Sequence, residues 1–383
     1  MIVTSMNPNY GGICQGIRNS VPAHKEMGID SEVVCFDNPQ SDYIKNESFI
    51  IHALGEGRGP YSYNKNLKPW LEKNISRFEV VIIHGLWQHT TYGTFKAWHS
   101  LKKKNLKLPK LYIMPHGMLD PYFQRAKNRR LKAVRNWFFW KLIEARVVNA
   151  ADGILFTCEE ELFLARKTFK PYKPKAEINV GFGIELPPHF RKEFQDAFLE
   201  KCPDLKDKSY WLFLSRIHPK KGVDLLINAY LRLKKRYSNL PALVIAGPGL
   251  ETYYGIKLQK SINGNEVYLP GMLKGDAKWG AFYGCDAFIL PSHQENFGIA
   301  VVEAMACKKP VLISNQVNIW REIEKGEGGV VYNDTEDGIF QTLESWINQS
   351  EKYRISTGEN AARIYEEKYT IQKAAANMIS CIQ

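Results

Sequence analysis

Residues 291–314, PSHQENFGIAVVEAMACKKPVLIS, connect two short apolar segments and decide which fold this chain adopts. The segment before this stretch, Ala287–Leu290, is apolar and predicts a strand, and Val311–Ile313 predicts a second strand at its end. Residues 297–306 between them have the pattern of a short helix. Because buried strands that alternate with helices form parallel sheets, the stretch predicts one strand–helix–strand unit of an α/β domain.

Two carboxylates lie near the predicted start of this helix. Glu295 is in the loop, where it could contact a sugar hydroxyl, and Glu303 is in the helix, where it could accept hydrogen bonds from both ribose hydroxyls. Asn296 is placed to cap the helix, and Gly298 would let a ligand approach the backbone. A helix start also suits a phosphate. The alternative is one acid that caps the helix and one that is solvated.

The alternation of apolar and amphipathic segments continues along the chain and begins again near Tyr210. Segment 179–188, NVGFGIELPP, has the composition of a linker. We therefore predict two doubly wound α/β domains that face each other across a cleft, where a ligand would bind beyond the strand ends. The other strand candidates are Ile2–Ser5, Ser31–Phe36, Val80–His84, Lys110–Met114, Gly153–Thr157, Tyr210–Leu214, Ala242–Ala246 and Val267–Leu269, and the helix candidates include Lys221–Tyr237 and Phe297–Ala306.

Charge is distributed unevenly over the 383 residues, whose net charge is +12. Residues 1–188 hold 27 Lys and Arg against 17 Asp and Glu, whereas residues 189–383 hold 25 against 23. This asymmetry favours an anionic partner for the first half, such as nucleic acid, a membrane surface or a phosphorylated substrate. The seven cysteines form no C-x-x-C pair and support neither a disulfide framework nor a zinc site. No signal peptide or membrane span is predicted, so we expect a cytoplasmic protein.

Four further segments resemble those of one enzyme family in the same order. They are NPNYGGI (7–13), FLSRIHPKKGVDLLINAY (213–230), LVIAGPG (243–249) and VYLPGML (267–273). Together with the E-x7-E pattern of residues 291–314, they resemble the retaining GT-B glycosyltransferases of family 4, also called group 1. Within that family the chain is most similar to enzymes that build bacterial envelope or extracellular polysaccharides.

The resemblance implies a division of the chain into three parts. Residues 1–185 would form a Rossmann-like domain that binds the acceptor, and residues 186–365 would form a second one that binds the nucleotide-sugar. Residues 366–383 would form a C-terminal helix that returns to the first domain.

Arg216 and Lys221 have a physical rationale as well as a family match. Two cations at a junction from a strand to a helix suit a diphosphate, although HPKKG (218–222) also has the composition of a solvated loop. Lys220 is expected at the surface, because the family match falls on the lysine directly before Gly222.

The resemblance also implies roles for other residues. His116, in the HG pair that follows a strand, would contact the donor sugar together with Glu295, and both are candidate catalytic residues with Arg216 and Lys221. Glu303 would bind the ribose. The remaining donor-binding candidates are Gly11 and Gly12 in the first loop, Gly271 and Met272 near the base, and Asn296, Phe297 and Gly298 near the diphosphate.

The acceptor side is predicted in less detail. Trp87 and His89 follow another strand and are candidates for contact with an acceptor sugar, although a buried aromatic cluster is an equal alternative. Asp120 is a third candidate that could instead cap a turn. Segment 125–141 combines seven Lys and Arg with an apolar helical stripe, and this is typical of either a solvated basic face or contact with anionic lipid. A second basic cluster lies at 99–110.

These interpretations predict an enzyme that transfers a hexose with retention of configuration. The donor would be a nucleotide-sugar, UDP-glucose first and GDP-mannose second, and the acceptor a saccharide or a lipid-diphosphate-linked saccharide. The chain contains no D-x-D triplet, so we expect no metal and no other cofactor. Two alternatives stay open at this point, a UDP-sugar 2-epimerase and a basic nucleic-acid-binding protein without enzymatic activity.

Overall fold

The computed structural model describes residues 1–103, 108–126, 129–262 and 266–382. The chain separates into two compact units, one formed by Met1–Gly183 with the C-terminal residues from Ile371, and one formed by Ile184–Thr370. The sequence placed these two boundaries at 185/186 and 365/366. The expected linker 179–188 spans the first boundary, but its first residue, Asn179, ends a strand.

The first unit is built on parallel strands. β3 to β6 are neighbours in chain order, and β1 pairs with β2. Ile2 forms single bridges to Val34 and Ile83, so the start of the chain lies between β1 and β3. The predicted strand Ile2–Ser5 is reduced to these bridges. The strands are β1 (Val33–Cys35), β2 (Ile51–Ala53), β3 (Val80–His84), β4 (Lys110–Met114), β5 (Gly153–Phe156) and β6 (Glu177–Asn179).

Helices cover this sheet. The helix that begins at Ile371 belongs to this unit, where Ile371 and Ala375 pack against Ala23 of the first helix. The helices of the N-terminal part are α1 (Gly12–Glu26), α2 (Asp42–Lys45), α3 (Leu67–Asn74), α4 (His89–Lys102), α5 (Tyr122–Arg125), α6 (Arg130–Phe139), α7 (Ala145–Ala150) and α8 (Glu159–Thr168).

The second unit contains one six-stranded parallel sheet in the order β12-β11-β10-β7-β8-β9. Read from the other edge, this is the 3-2-1-4-5-6 order of a Rossmann fold, and the order reverses between β7 and β10. Ligands of such sheets bind at this switch point, beyond the carboxyl ends of the two strands. The strands are β7 (Tyr210–Leu214), β8 (Ala242–Ala246), β9 (Val267–Gly271), β10 (Ala287–Leu290), β11 (Val311–Ser314) and β12 (Gly329–Tyr332).

Eight α-helices are assigned among residues 184–262 and 266–370, the described part of this unit. They are α9 (Lys192–Leu199), α10 (Val223–Lys234), α11 (Tyr253–Ser261), α12 (Gly275–Gly284), α13 (Ile299–Ala306), α14 (Trp320–Lys325), α15 (Glu336–Ile347) and α16 (Glu351–Ile364), and the chain ends in α17 (Ile371–Ile382) of the first unit. No helix in the described part of the chain combines the length and apolar character needed to span a membrane.

Two helices begin later than the sequence predicted, for the same reason. Lys221 does not open α10, because it ends a 3-10 turn, Pro219–Lys221, and Gly222 in the left-handed conformation separates that turn from the helix. Likewise α13 begins at Ile299 after the left-handed Gly298, not at Phe297. A left-handed residue cannot continue a right-handed helix, so each glycine sets the position of its helix start.

Candidate donor site and the loops of the first unit

The loops after β7 and β10 carry most of the predicted donor residues. These strands are direct neighbours, with Trp211 opposite Ala287 and Leu212 opposite Phe288. Their carboxyl ends therefore lie side by side at the switch point of the sheet. Residues 215–222 extend from one strand end and residues 291–298 from the other, which brings two segments predicted separately from the sequence into one site.

Backbone contacts hold these two loops together. The amide of His293 donates a hydrogen bond to the carbonyl of Lys220 at 2.8 Å. Gly222 has φ 64°, and a Cβ at this position would lie 2.2 Å from the carbonyl oxygen of Pro291. Such a distance is far inside van der Waals contact, so only glycine fits here without displacement of one loop.

Lys221 is the central cation of this site. Its side chain is buried, only 7% exposed, and its Nζ contacts the carboxylate of Glu295. Burial, together with the charges of Lys220 and Arg216, lowers the pKa of Lys221 to about 7. The Glu295 carboxylate opposes this shift, because an opposite charge favours the ammonium form. Arg216 is exposed at the start of the same loop.

Glu303, the predicted ribose contact, is also paired. Its carboxylate accepts from Nζ of Lys278 at 2.8 Å, and Lys278 lies on α12. The side chains are 24% exposed for Lys278 and 16% for Glu303. The sequence interpretation missed Lys278, because a lysine 25 positions away on another helix carries no local signal.

The start of α13 differs from the prediction in one respect. Asn296 does not cap this helix, because the cap residue is Gly298, with φ 81° and no side-chain hydrogen bond to the helix. The Asn296 side chain instead accepts from Nδ2 of Asn318 at 3.4 Å. Phe297 is buried and packs edge-on against Tyr369. The first N–H groups of an α-helix have no partner within the helix, so this helix start keeps its predicted capacity for an anion.

Gly271 ends β9 and Met272 follows it, and two strands, β7 and β8, lie between β9 and β10. Gly271 has φ 74°, and its carbonyl accepts from the amide of Gly247 at 2.8 Å. Met272 is 57% exposed. An exposed apolar side chain after a strand end could pack against a nucleotide base, which is the role predicted for it.

In the first unit, Gly11 lies directly before α1 and Gly12 is the first residue of that helix. Gly11 has φ 88° and caps α1, and a Cβ there would meet no atom within 4 Å. Both glycines are exposed. The space beside Gly11 permits the predicted backbone approach of a ligand.

His116 is bound to a second histidine. Its Nε2 lies 2.9 Å from Nδ1 of His84, which ends β3. Burial lowers the pKa of His116 to about 4, so the pair is neutral near pH 7. His116 also has a positive φ of 51°, and Gly117 follows it with its amide bonded to Glu161 at 2.5 Å. Glu161 also accepts from the amide and the hydroxyl of Thr157, and so it ties together the loops after β4 and β5.

Trp87 is hydrogen-bonded through its backbone to a buried acid, Glu144. Its backbone amide donates to Glu144 at 2.8 Å, and its ring packs against Trp140 and Phe169. Glu144 is fully buried, and burial raises its pKa to about 8, so the acid is largely protonated at neutral pH. Glu144 escaped the sequence interpretation, because one glutamate in an amphipathic helix is ordinarily a solvated residue.

His89 and Asp120, the other acceptor candidates, each have a structural contact. Nδ1 of His89 accepts from the amide of Asn64 at 3.1 Å, and its ring packs against Tyr61 and Tyr63. Asp120 is buried and accepts from the amide of Tyr122 at 2.8 Å, which is the turn cap that the sequence offered as its alternative role. Contact of these residues with an acceptor stays a prediction.

The helix α6 presents an apolar face that is not covered by the described residues. Lys127 and Asn128 of segment 125–141 lie outside the described residues, as do positions 104–107 of the second basic cluster. On the same helix Lys132 and Arg135 are exposed. The exposed apolar side chains are Leu131 (89%), Val134 (57%), Trp137 (49%), Phe138 (54%) and, in the next turn, Leu142 (65%). We call these five the α6 apolar face.

The chain is similar to known glycosyltransferases both in sequence and in fold. A family model described as "Glycosyl transferases group 1" matches residues 195–364, most of the second unit. A lipopolysaccharide 1,2-N-acetylglucosaminetransferase of Salmonella typhimurium is 26% identical over 376 residues, which cover 92% of this chain and 88% of that protein. HepE of Anabaena, solved with UDP and glucose, covers 99% of this chain and 98% of its own, with a TM-score of 0.73 and 16% identity. Sucrose-phosphate synthase from Thermosynechococcus elongatus has a TM-score of 0.72 and 16% identity, over 99% of this chain and 97% of that one.

The two solved structures, at this low identity, establish the fold. They extend over both units, and they confirm the prediction of a GT-B architecture with two parallel α/β domains. The family model and the Salmonella relative identify the protein as a glycosyltransferase. They exclude the two alternatives, a UDP-sugar 2-epimerase and a nucleic-acid-binding protein without enzymatic activity. The chain is a glycosyltransferase with the GT-B fold, and its residues 195–364 match the group 1 family of these enzymes.

Proposed function

We propose that this enzyme transfers a hexose from a nucleotide-sugar to a saccharide, or to a lipid-linked saccharide, in the synthesis of a bacterial polysaccharide. The observation that carries this proposal is the position of Arg216, Lys221 and Glu295 at the β7/β10 switch point of a Rossmann-type sheet. A pair of cations beside a helix start at that point suits a nucleoside diphosphate.

The ion pair between Lys221 and Glu295 indicates how the donor would bind. Without ligand, the buried amino group of Lys221 lies against the partly exposed carboxylate of Glu295. A donor diphosphate would offer Lys221 a second anionic partner, with Arg216 beside it. Glu295 could then turn to a hydroxyl of the transferred sugar. Glu303 would accept from the ribose, and Gly271 and Met272 would border the base.

We propose that the reaction retains the anomeric configuration, as in the family 4 enzymes that the sequence resembles. The bond from the sugar to the leaving phosphate would lengthen until the sugar approaches an oxocarbenium ion, and the acceptor hydroxyl would attack from the face that the phosphate leaves. The phosphate itself could take the acceptor proton. His116, kept neutral by burial, would donate a hydrogen bond to the sugar, and Gly11 and Gly12 would allow the close approach of backbone and ligand.

No metal and no other cofactor is part of this proposal. Lys221, Arg216 and the amides at the start of α13 would supply the charge stabilisation that the leaving diphosphate needs. Within the described part of the chain, no cluster of three His, Cys, Asp or Glu side chains is arranged to hold a metal ion. Activity in the presence of excess EDTA would support metal independence.

For the donor, UDP-glucose is the first choice and GDP-mannose the second. The HepE structure, which contains UDP and glucose, supports the first choice through its similar fold. The name of the Salmonella relative adds UDP-N-acetylglucosamine as a further candidate. The same relative acts on lipopolysaccharide by its name, and this supports a saccharide acceptor in envelope synthesis.

Thermal stabilisation by a panel of UDP, GDP, ADP and their common sugars tests the proposal. A ligand that binds only the folded state, at 100 times its dissociation constant, adds about 2.7 kcal/mol to the free energy of unfolding. We expect one nucleotide family, that of UDP, to raise the melting temperature, and Glu303→Ala to reduce this rise. Glu266→Ala, which removes a carboxylate paired with Lys234 at the opposite end of β9, is the matched control. If no nucleotide stabilises the protein, the proposed donor site is wrong.

We also propose that the α6 apolar face binds an anionic membrane surface, which would bring the enzyme to a lipid-linked acceptor on the cytoplasmic side of the membrane. An apolar face with Lys132, Arg135 and Lys141 exposed on or beside the same helix matches the chemistry of an anionic lipid surface. The excess of positive charge in residues 1–188 acts in the same direction.

Flotation with vesicles of phosphatidylglycerol and phosphatidylcholine tests this surface. We expect the protein to float at low salt, and Leu142→Asp to reduce binding roughly tenfold, because one buried leucine contributes about 1.5–3 kcal/mol. Leu186→Asp is the matched control, since Leu142 and Leu186 are both 65% exposed and Leu186 lies in the other unit. Equal binding of both variants, or no flotation of the unmodified protein, would contradict the proposed surface.

A further inference from the structure

The contact between Lys278 and Glu303 is more than a surface ion pair. The two side chains are 24% and 16% exposed, and the ammonium also lies 4.1 Å from the centroid of the Trp279 ring. A cation over an aromatic ring and against a carboxylate has two attractive partners that restrict where it lies. Lys278 is therefore held in place on α12, and it holds one oxygen of Glu303.

The contact with Lys278 leaves part of the Glu303 carboxylate available for other hydrogen bonds. A carboxylate has about four lone-pair positions, and Lys278 occupies one of them. The remaining positions can still accept hydrogen bonds from two hydroxyl groups. Hydrogen bonds from hydroxyl groups to a charged acceptor are stronger than those to a neutral one.

We propose that Lys278 is a positioning residue, which orients the carboxylate of Glu303 toward the ribose of the donor and thereby sets the preference for a ribonucleotide over a 2′-deoxyribonucleotide. This inference rests on the proposed function, since it requires that Glu303 contact the ribose. Lys278 itself acts through Glu303 and touches no reacting atom.

The alternative role for Lys278 is purely structural. An ion pair between α12 and α13 could stabilise the second unit without any effect on nucleotide recognition. The two roles differ in one measurable quantity, the ratio of the affinities for UDP and 2′-deoxy-UDP. A structural lysine would change stability, or both affinities equally, and leave this ratio unchanged.

Calorimetric titration of the full chain with UDP and with 2′-deoxy-UDP measures the ratio. Hydrogen bonds to charged groups contribute about 1.5–3 kcal/mol, so we expect UDP to bind roughly tenfold or more tightly than its deoxy analogue. Lys278→Met should reduce this affinity ratio at least about threefold, because a misoriented Glu303 loses part of its hydrogen-bond contribution. Lys278→Arg should retain most of the ratio. Lys234→Met is the matched control, because Lys234 is also 24% exposed and pairs with a glutamate, Glu266, at the other end of β9.

A third variant, Glu303→Gln, separates failure of this inference from failure of the proposed function. If Glu303→Gln removes the preference for ribose but Lys278→Met leaves it intact, the positioning role is wrong and the ribose contact stands. If Glu303→Gln leaves the preference intact, the ribose contact itself is wrong, and the inference is wrong with it. Melting curves identify any variant that fails to fold, in which case Lys278→Gln replaces Lys278→Met.

Discussion

Lys221→Met is expected to lower kcat/KM for sugar transfer by roughly 10²–10³-fold, the usual effect of removing one charge-stabilising group from an active site. The buried ammonium would stabilise the negative charge that develops on the leaving diphosphate. The measurement is the initial rate of transfer from the donor that stabilises the protein. Lys220→Met is the matched control, since it removes the same charge one residue earlier, from a half-buried side chain. We expect it to lower kcat/KM by no more than a few-fold, and equal losses in both variants would contradict the assigned role.

The same lysine predicts a pH dependence of nucleotide binding. Burial lowers the pKa of Lys221 to about 7, and a bound diphosphate would raise it again, because the anion favours the ammonium form. Binding above pH 7 should therefore take up a proton, and the affinity for UDP should fall as the pH rises above about 7. Calorimetry in buffers of different ionisation enthalpy measures this uptake. It should disappear in Lys221→Met, and proton release on binding would contradict the prediction.

Gly222→Ala is expected to destabilise the second unit by roughly 2–5 kcal/mol, since the left-handed backbone costs a non-glycine residue about 1–2 kcal/mol and forced overlap adds about 1–3 kcal/mol. The overlap is with the carbonyl oxygen of Pro291, which would lie 2.2 Å from the alanine Cβ. Displacement of either loop would also weaken UDP binding, because the two loops carry Lys221 and Glu295. Urea denaturation and calorimetry measure the two effects.

Gly271→Ala separates the contribution of the overlap from that of the backbone. Gly271 has φ 74°, close to the value of 64° at Gly222, but a Cβ there would meet no atom within 4 Å. Its substitution should therefore cost only the backbone contribution, about 1–2 kcal/mol. If both alanine variants lose the same stability, the close approach of Gly222 to Pro291 does not hold the loops together.

Local sequence patterns predicted the buried strands well and the edge strands poorly. β4 and β7 occupy the predicted residues, because β7 is a continuous apolar run and β4 is apolar after its first residue, Lys110. β2 and β6 were missed, since they have three residues each and are partly exposed, so no apolar run marks them. β12, an edge strand of four residues that are mostly half-buried, was missed as well. At the predicted strand Ile2–Ser5 the structure has only two single bridges, from Ile2 to Val34 and from Ile2 to Ile83. The paired segment is therefore too short to count as a strand.

The sequence by itself determined the class of fold and the main residues of the candidate donor site. Alternating apolar strands and helices allow only layered parallel sheets, and the segments around Lys221 and Glu295 could be recognised because their residues are close in the chain. The tertiary structure decided which of these residues pair. Lys221 with Glu295, Lys278 with Glu303 and His84 with His116 are separated by 74, 25 and 32 positions. Such contacts depend on strand order and on helix packing, which no local pattern records.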